Sequence, residues 1–161
     1  MSNGISVTIK GLDLIRSNLT AVDPAIVAGI VAANQETADE IANLARNNIK
    51  GLQAFDTGGL YESIDIQQSA GGLTFAVGAK AKHAPFVEFG TSPHFPPLEP
   101  IRQWCRHRGI PEEYAFVIAR AISERGTPER PFLYPAYLVG MRNHVDRVRK
   151  YVMGTLRGAI K

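Results

Sequence analysis

The sequence has little of what marks a secreted, disulfide-bonded or membrane-spanning chain. It contains one cysteine, Cys105, among 161 residues, so no internal disulfide can form and a reducing compartment is expected. The start of the chain lacks a basic segment followed by an apolar one, and no run approaches the roughly 18 apolar residues of a membrane helix. We therefore expect a protein that folds in the cytoplasm and does not enter a membrane.

Motifs of the common catalytic types are also missing. The chain contains no nucleophile elbow, phosphate-binding glycine loop or zinc-binding helix motif. Cys105 has Arg106 as its neighbour, which could activate the thiol, but its helical position beside Ile101 favours a buried structural thiol. We therefore expect no enzyme and no cofactor.

The best set of metal-ligating residues is formed by His83, Glu88 and His94. Their spacings of five and six residues lack the close ligand pair that is usual in zinc sites. A hydrogen-bonded Glu88 that caps a turn is the simpler alternative. We therefore expect no metal site, and we interpret His107 and His144 as surface residues of helices.

A catalytic pair of carboxylates would have to come from the acidic residues near the predicted sheet, which are Asp56, Glu62, Asp65 and Glu88. The sequence does not show that any two of them converge. Asp56 is explained by a turn or cap before Thr57 and Gly58, and Glu62 and Asp65 are expected to be solvated on a half-exposed strand.

The hydrophobic pattern of the first half predicts a long helix beside a small antiparallel sheet. A short strand is expected at residues 6–9. Asp23 and Pro24 form a capping pair, and the helix that they begin should run until Gly51 stops it, with Asn34 on its polar side. Residues 60–67 and 73–78 then predict two strands of a hairpin, joined at residues 69–72 by a turn that contains two glycines.

The second half predicts three further helices. The first spans residues 97–108, with Leu98, Ile101, Trp104 and Cys105 inward, and the second spans residues 111–125, with Tyr114, Val117, Ala121 and Ile122 inward. Beyond Pro135, a final amphipathic helix should bury a stripe of apolar residues, namely Leu138, Met141, Val145, Val148, Val152 and Leu156. The whole chain is expected to be one α+β domain with a helical insertion at residues 98–126.

Two segments combine proline with aromatic residues, at residues 83–91 and 130–136. Because proline fixes φ near −65°, it holds the neighbouring aromatic side chains in one direction at little entropic cost. We interpret both segments as rigid turns for packing or for docking a partner rather than as catalytic loops. The candidate interface residues are Phe86, Glu88, Phe89, Phe95, Pro131, Phe132 and Tyr134.

Charge is divided unevenly between the two halves of the chain. Residues 1–80 carry 5 basic and 8 acidic side chains, whereas residues 81–161 carry 13 and 7. This asymmetry suits a nucleic-acid surface, or unlike faces that meet in a head-to-tail oligomer. The candidate DNA-lining residues lie on the final helix and are Arg142, Arg147, Arg149 and Lys150, which would act electrostatically and without sequence recognition.

Four motifs carry a resemblance to a known family. They are DTGGLYESI at residues 56–64, VG at 77–78, APFVEFGT at 84–91 and RPFLYPA at 130–136. In this order and spacing, over roughly residues 20–155, the chain resembles the gene-product-ten-like head–tail joining proteins of siphophages and prophages, also called tail completion, neck or minor tail proteins. It departs from that family at Gly59, Tyr61 and Glu62, where relatives commonly have a basic residue.

The resemblance implies a structural protein of the virion at the junction of head and tail, assembled in the cytoplasm of a bacterial host. It implies a homo-oligomeric ring, for which six copies is one expected number, between portal or head-completion proteins and tail tube or terminator proteins. DNA would pass such a ring without sequence-specific binding, and no membrane is involved. The alternative from the residues themselves is a nucleic-acid-associated accessory protein that uses its basic final helix.

Overall fold

The computed structural model describes residues 4–10, 24–52 and 58–159. Strand β1 (Ile5–Lys10) precedes the long helix α1 (Pro24–Gly51) and the short helix α2 (Gly59–Glu62). The hairpin strands β2 (Ile64–Gln68) and β3 (Thr74–Ala79) follow, and then the short helix α3 (Ala84–Phe89). Helices α4 (Leu98–Arg108) and α5 (Ala115–Arg125), joined by a 3-10 turn (Glu112–Tyr114), precede the long helix α6 (Leu133–Ala159). The α+β prediction is confirmed.

The three strands form one antiparallel sheet in the order β1–β3–β2. Val77 of β3 pairs with Val7 of β1 and with Ile66 of β2. The predicted hairpin is confirmed, and its turn places Gly71 and Gly72 at φ values of 87° and 70°, which favour glycine. The buried side chains of β3 face α1, so sheet and helix share the main core.

Helix α1 covers one face of this core. It begins at Pro24, as predicted, and Gly51 is its last residue rather than the residue after its end. Asn34 was expected on the polar side, but it is buried, because its amide donates a hydrogen bond of 3.0 Å to the Leu73 carbonyl oxygen at the hairpin. The predicted cap Asp23 and the turn residues Asp56 and Thr57 lie outside the described residues.

Helix α6 packs antiparallel on α1 through a face that overlaps the predicted one only in part, since Met141 packs against the main core. It begins at Leu133, and Pro135 fits within its first turn because the amides there have no partner within the helix. Gly140 lies so close to Ile41 of α1 that a Cβ atom would collide with it. Small residues therefore set the closest approach of the two helices, and Leu138 and Val145 of the predicted apolar stripe remain exposed.

The two helices predicted between residues 97 and 125 are present, and their inward faces are confirmed in part: Ile101 and Cys105 are buried, and Leu98 and Ile122 pack against the core that they form. Ile101 and Cys105 of α4 pack against Ala115 and Ala119 of α5 in a small core separate from the main one. The large side chains predicted inward are instead exposed, namely Trp104, Tyr114 and Val117. Alanines allow the two short helices to approach closely, and the larger side chains do not fit between them.

Two short helices replace a predicted strand start and a predicted turn. Leu60 belongs to α2, where it is buried, and the strand begins only at Ile64. The segment at residues 84–89 was interpreted as a rigid turn but forms the single-turn helix α3, which Pro85 enters in its first turn.

Candidate interaction surface

Glu88 joins α3 to the start of α6. Its side chain is buried, and its Oε2 atom accepts hydrogen bonds from the backbone amides of Phe132 and Leu133 at 2.8 and 2.9 Å. Its Oε1 atom accepts a third bond, of 2.9 Å, from the amide of Tyr134. The carboxylate therefore satisfies the donors that the first turn of a helix leaves unpaired, and its negative charge lies at the positive end of the helix dipole.

The same short helix points two aromatic rings away from the core. Phe86 and Phe89 are three residues apart, so they share a face of α3, and they are 59% and 68% exposed. The buried side chain of Glu88 points inward from the same turn and holds α3 against the start of α6. The orientation of α3 fixed by Glu88 therefore keeps these two rings exposed to solvent.

A second pair of exposed rings joins the segment before α4 to the start of α5. Phe95 and Phe116 are each more than half exposed, and their ring centroids are 6.1 Å apart with the planes inclined by 56°. This is within the range of favourable aromatic pairs. Phe116 was not among the predicted surface residues. The only sequence signal for its exposure was its position beside Ala115, a small residue that packs inward on the same helix.

A small antiparallel bridge separates the two pairs along the chain. Thr91 and Thr127 exchange two backbone hydrogen bonds of 3.1 and 3.2 Å, and their hydroxyl oxygens are 3.0 Å apart. Gly90 and Gly126 flank the bridge at φ values of 69° and 72°, where a side chain would also collide with the opposite backbone. We name these two exposed pairs together, Phe86 with Phe89 and Phe95 with Phe116, the aromatic surface.

The predicted interface residues thus divide into exposed and buried ones. Pro131 and Tyr134 are exposed, like the three predicted phenylalanines of the aromatic surface. Phe132 is fully buried in the main core, and Glu88 is buried as the cap of α6. Their side chains are enclosed within the subunit, which disfavours contact of these two with a partner.

Helix α6 was expected to offer four cations to DNA, and three of them are exposed: Arg142, Arg149 and Lys150. The side chain of Arg147 is only 16% exposed, and it lies 2.8 Å from a carboxylate oxygen of Glu40 on α1. The hydrogen bond to Glu40 raises the pKa of Arg147 above its usual value. This arginine joins two helices, which disfavours a DNA-lining role for its side chain.

His144, predicted as a surface histidine, lies half-buried between the same helices. Its Nδ1 atom is 3.1 Å from the hydroxyl oxygen of Thr37, and that hydroxyl donates its own proton to the Ala33 carbonyl at 2.9 Å. The histidine is therefore the donor, which assigns its proton to Nδ1. Burial, followed by the charge of Arg147, lowers the pKa of His144.

Three of the candidate metal and catalytic residues form structural contacts. Glu88 uses both oxygens as a cap, and the Nδ1 atom of His94 lies 2.9 Å from the Ser92 carbonyl oxygen. Asp65 forms an ion pair of 2.7 Å with Lys80, which lowers the pKa of its carboxyl. Within residues 4–10, 24–52 and 58–159, no three metal-ligating side chains come together. Helices long and apolar enough to cross a membrane are likewise absent from these ranges.

The fold and its surface define a small α+β protein whose most distinctive feature is exposed aromatic area, as in proteins that act by contact with other proteins. Residues 13–90 match the model of a family described as "Bacteriophage HK97-gp10, putative tail-component". The resemblance inferred from the sequence is thereby confirmed over these residues, which include its first two motifs and all but the last residue of the third. No curated protein and no solved structure matches the chain.

Proposed function

We propose that this protein is a structural component of a phage tail that assembles into a ring at the junction of head and tail, and that it has no catalytic role. The observation that carries the proposal is the aromatic surface, combined with the match to a family of phage tail components. The burial of four exposed rings by a second protein would be favourable, because it removes apolar surface from water.

The division of charge along the sequence also supports association through unlike faces. All four exposed rings lie in the basic second half of the chain. A surface that meets a different surface of the next copy produces either a closed ring or an open filament. The charge difference between the two halves favours such head-to-tail contact over contact between like faces.

Native mass spectrometry of the purified protein tests the assembly. We expect oligomers that grow with protein concentration, and we expect Phe89→Ser to weaken them, because an interface that loses a buried ring loses a large part of its apolar contact. Met153→Ser is the matched control, since Met153 is an exposed apolar residue of α6. Wild-type protein that stays monomeric at every concentration would contradict assembly through this surface.

Deletion of the gene tests the position in the particle. We expect cells that accumulate filled heads and free tails that do not join. A plasmid copy should restore infectious particles, and a copy that carries Phe89→Ser should restore fewer. Normal particles from the deletion strain would exclude a role at the junction.

The alternative is nucleic-acid binding by α6. Its exposed cations Arg142, Arg149 and Lys150 favour it, whereas the confinement of Arg147 between two helices removes one of its four expected contacts. Binding through phosphates would weaken steeply as salt concentration rises. A filter-binding series with duplex DNA at increasing salt concentration distinguishes this alternative, and we expect little binding at physiological salt.

A further inference from the structure

Helix α6 carries an apolar seam that α1 does not cover. Tyr134, Leu138 and Val145 are exposed, and Val145 is exposed over 62% of its surface. Half-buried apolar residues lie between and beyond them on the same side of the helix, at positions 141, 148 and 152. We name these six residues the α6 seam: Tyr134, Leu138, Met141, Val145, Val148 and Val152.

The spacing of the α6 seam is that of a coiled coil. Successive members are four, three, four, three and four residues apart, which is the heptad spacing of a helix that packs along a second helix. The seam extends over roughly 27 Å of the helix axis at 1.5 Å per residue. Such a surface matches the length of another helix better than it matches a compact loop.

Within the subunit, α1 reaches this seam only along one edge, where Met141 packs against the main core. That helix packs on the neighbouring face of α6, where Gly140 approaches it closely and where His144 and Arg147 contact Thr37 and Glu40. The seam lies at the edge of this contact, so one flank is closed by α1 and, among the residues that the structure describes, the other is open. A second helix can approach only from the open flank.

Arg142 and Arg149 line that open flank. Both are exposed, and they are seven residues apart, so they occupy the same position of successive heptads. Met141 and Val148 are the d positions, and each arginine follows one of them directly, at position e. Two copies of α6 that met antiparallel along the seam would place these arginines of both copies together, which like-charge repulsion opposes. Glutamates of a different helix would instead meet them as ion pairs.

We propose that the α6 seam binds an amphipathic helix with acidic flanking residues that belongs to a different protein. The proposal goes beyond the ring, because it uses α6 rather than the aromatic surface and does not require self-association. The apolar seam supplies the contact area, and Arg142 and Arg149 select the charge and orientation of the partner.

A synthetic helix probes this surface directly. The probe is a fluorescent peptide of four heptads with leucine at a and d and glutamate at e and g, whose charges discourage pairing with itself. Anisotropy titration of the full chain should show saturable binding, and circular dichroism should show that the peptide becomes helical. A peptide of the same pattern with lysine in place of glutamate should bind at least about tenfold more weakly.

Matched variants locate the contact. Val145→Ser and the double change Arg142→Glu with Arg149→Glu should each weaken binding of the glutamate peptide about tenfold or more. Val139→Ser is the control, since Val139 is exposed on the same helix but is not part of the seam. All these positions are exposed, so the variants should keep the circular dichroism spectrum and melting temperature of the wild type.

Several results would overturn the proposal. These are the absence of binding to the glutamate peptide, equal binding to both peptides, and an equal loss of binding in Val139→Ser. A loss of self-association in Val145→Ser, measured by native mass spectrometry without peptide, would assign the seam to a second copy instead. Because Phe89→Ser tests the ring separately, failure of one proposal is distinguishable from failure of the other.

Discussion

Replacement of Glu88 by alanine should destabilise the fold more than any change of a surface carboxylate. The change removes the acceptor of three backbone amides, two of which belong to the fully buried residues Phe132 and Leu133. A buried donor without a partner costs about 1–3 kcal/mol, and loss of the charge at the helix terminus adds about 0.3–1 kcal/mol. We expect a loss of roughly 3–5 kcal/mol in the free energy of unfolding.

Glu88→Gln separates the hydrogen bonds from the charge. Its amide oxygen can take the place of Oε2, which accepts the two buried bonds, but its NH₂ group then faces the amide of Tyr134 and cannot accept from it. The Tyr134 amide is only partly buried, so water can replace this partner. We therefore expect a smaller loss, of about 1–2 kcal/mol.

Urea unfolding followed by circular dichroism measures both losses. A melting experiment should agree, at about 3 °C for each kcal/mol in a domain of this size. Glu129→Ala is the control, because Glu129 is an exposed carboxylate in the segment between the bridge and α6, and it should change stability by less than about 0.5 kcal/mol. If Glu88→Ala were as stable as this control, the carboxylate would not be what holds α3 to α6.

Three further predictions concern single positions. The pKa of His144 is lowered in the folded state, so the unfolded chain binds a proton more readily, and the free energy of unfolding should fall as pH drops below about 6.5. In His144→Gln, the free energy of unfolding from urea titrations should depend less on pH between about 7.5 and 5. Gly140→Ala should cost about 1–3 kcal/mol through its collision with α1, whereas Gly51→Ala, in open space at the end of α1, should be neutral or stabilising in urea unfolding. Gly126→Ala should disrupt the bridge and expose the insertion to limited proteolysis, whereas Gly109→Ala, with similar φ but open space, should leave cleavage almost unchanged.

The positions of most long elements could be predicted from the sequence, because local signals determine them. Pro24 begins α1 as expected, and the glycines at 71 and 72 permit the hairpin turn. The helix faces could not be predicted in the same way. An apolar stripe indicates that a helix packs against something, but it does not show which side of the stripe the partner occupies. In α6 the stripe lies beside the contact with α1, and the small residue Gly140 determines which face packs on α1.

The candidate surface was predicted in part. The proline-braced segments do carry exposed rings at Phe86 and Phe89, and the interpretation of Glu88 as a hydrogen-bonded cap agrees with its three bonds to backbone amides, but the sequence gives no indication of which amides it caps. Its hydrogen-bond partners are 44 to 46 residues away along the chain, so no local pattern reveals the pairing. Two features of the sequence together could have suggested the pairing. One is a lone glutamate between aromatic residues, and the other is a helix start, much later in the chain, without a Ser, Thr, Asp or Asn cap.

The geometry of the bridge implies that the insertion can be removed without loss of the main fold. Thr91 and Thr127 exchange both backbone hydrogen bonds, which is the pairing that closes a two-residue hairpin turn, so Asn-Gly can replace residues 92–126. The buried residues of the main core all lie outside this segment, while the insertion has a core of its own. We expect the shortened chain to melt within about 5 °C of the wild type, since few contacts of the main core are lost. A chain that no longer folds would show that α4 and α5 stabilise the sheet and the long helices, and that the family-like core cannot fold without its insertion.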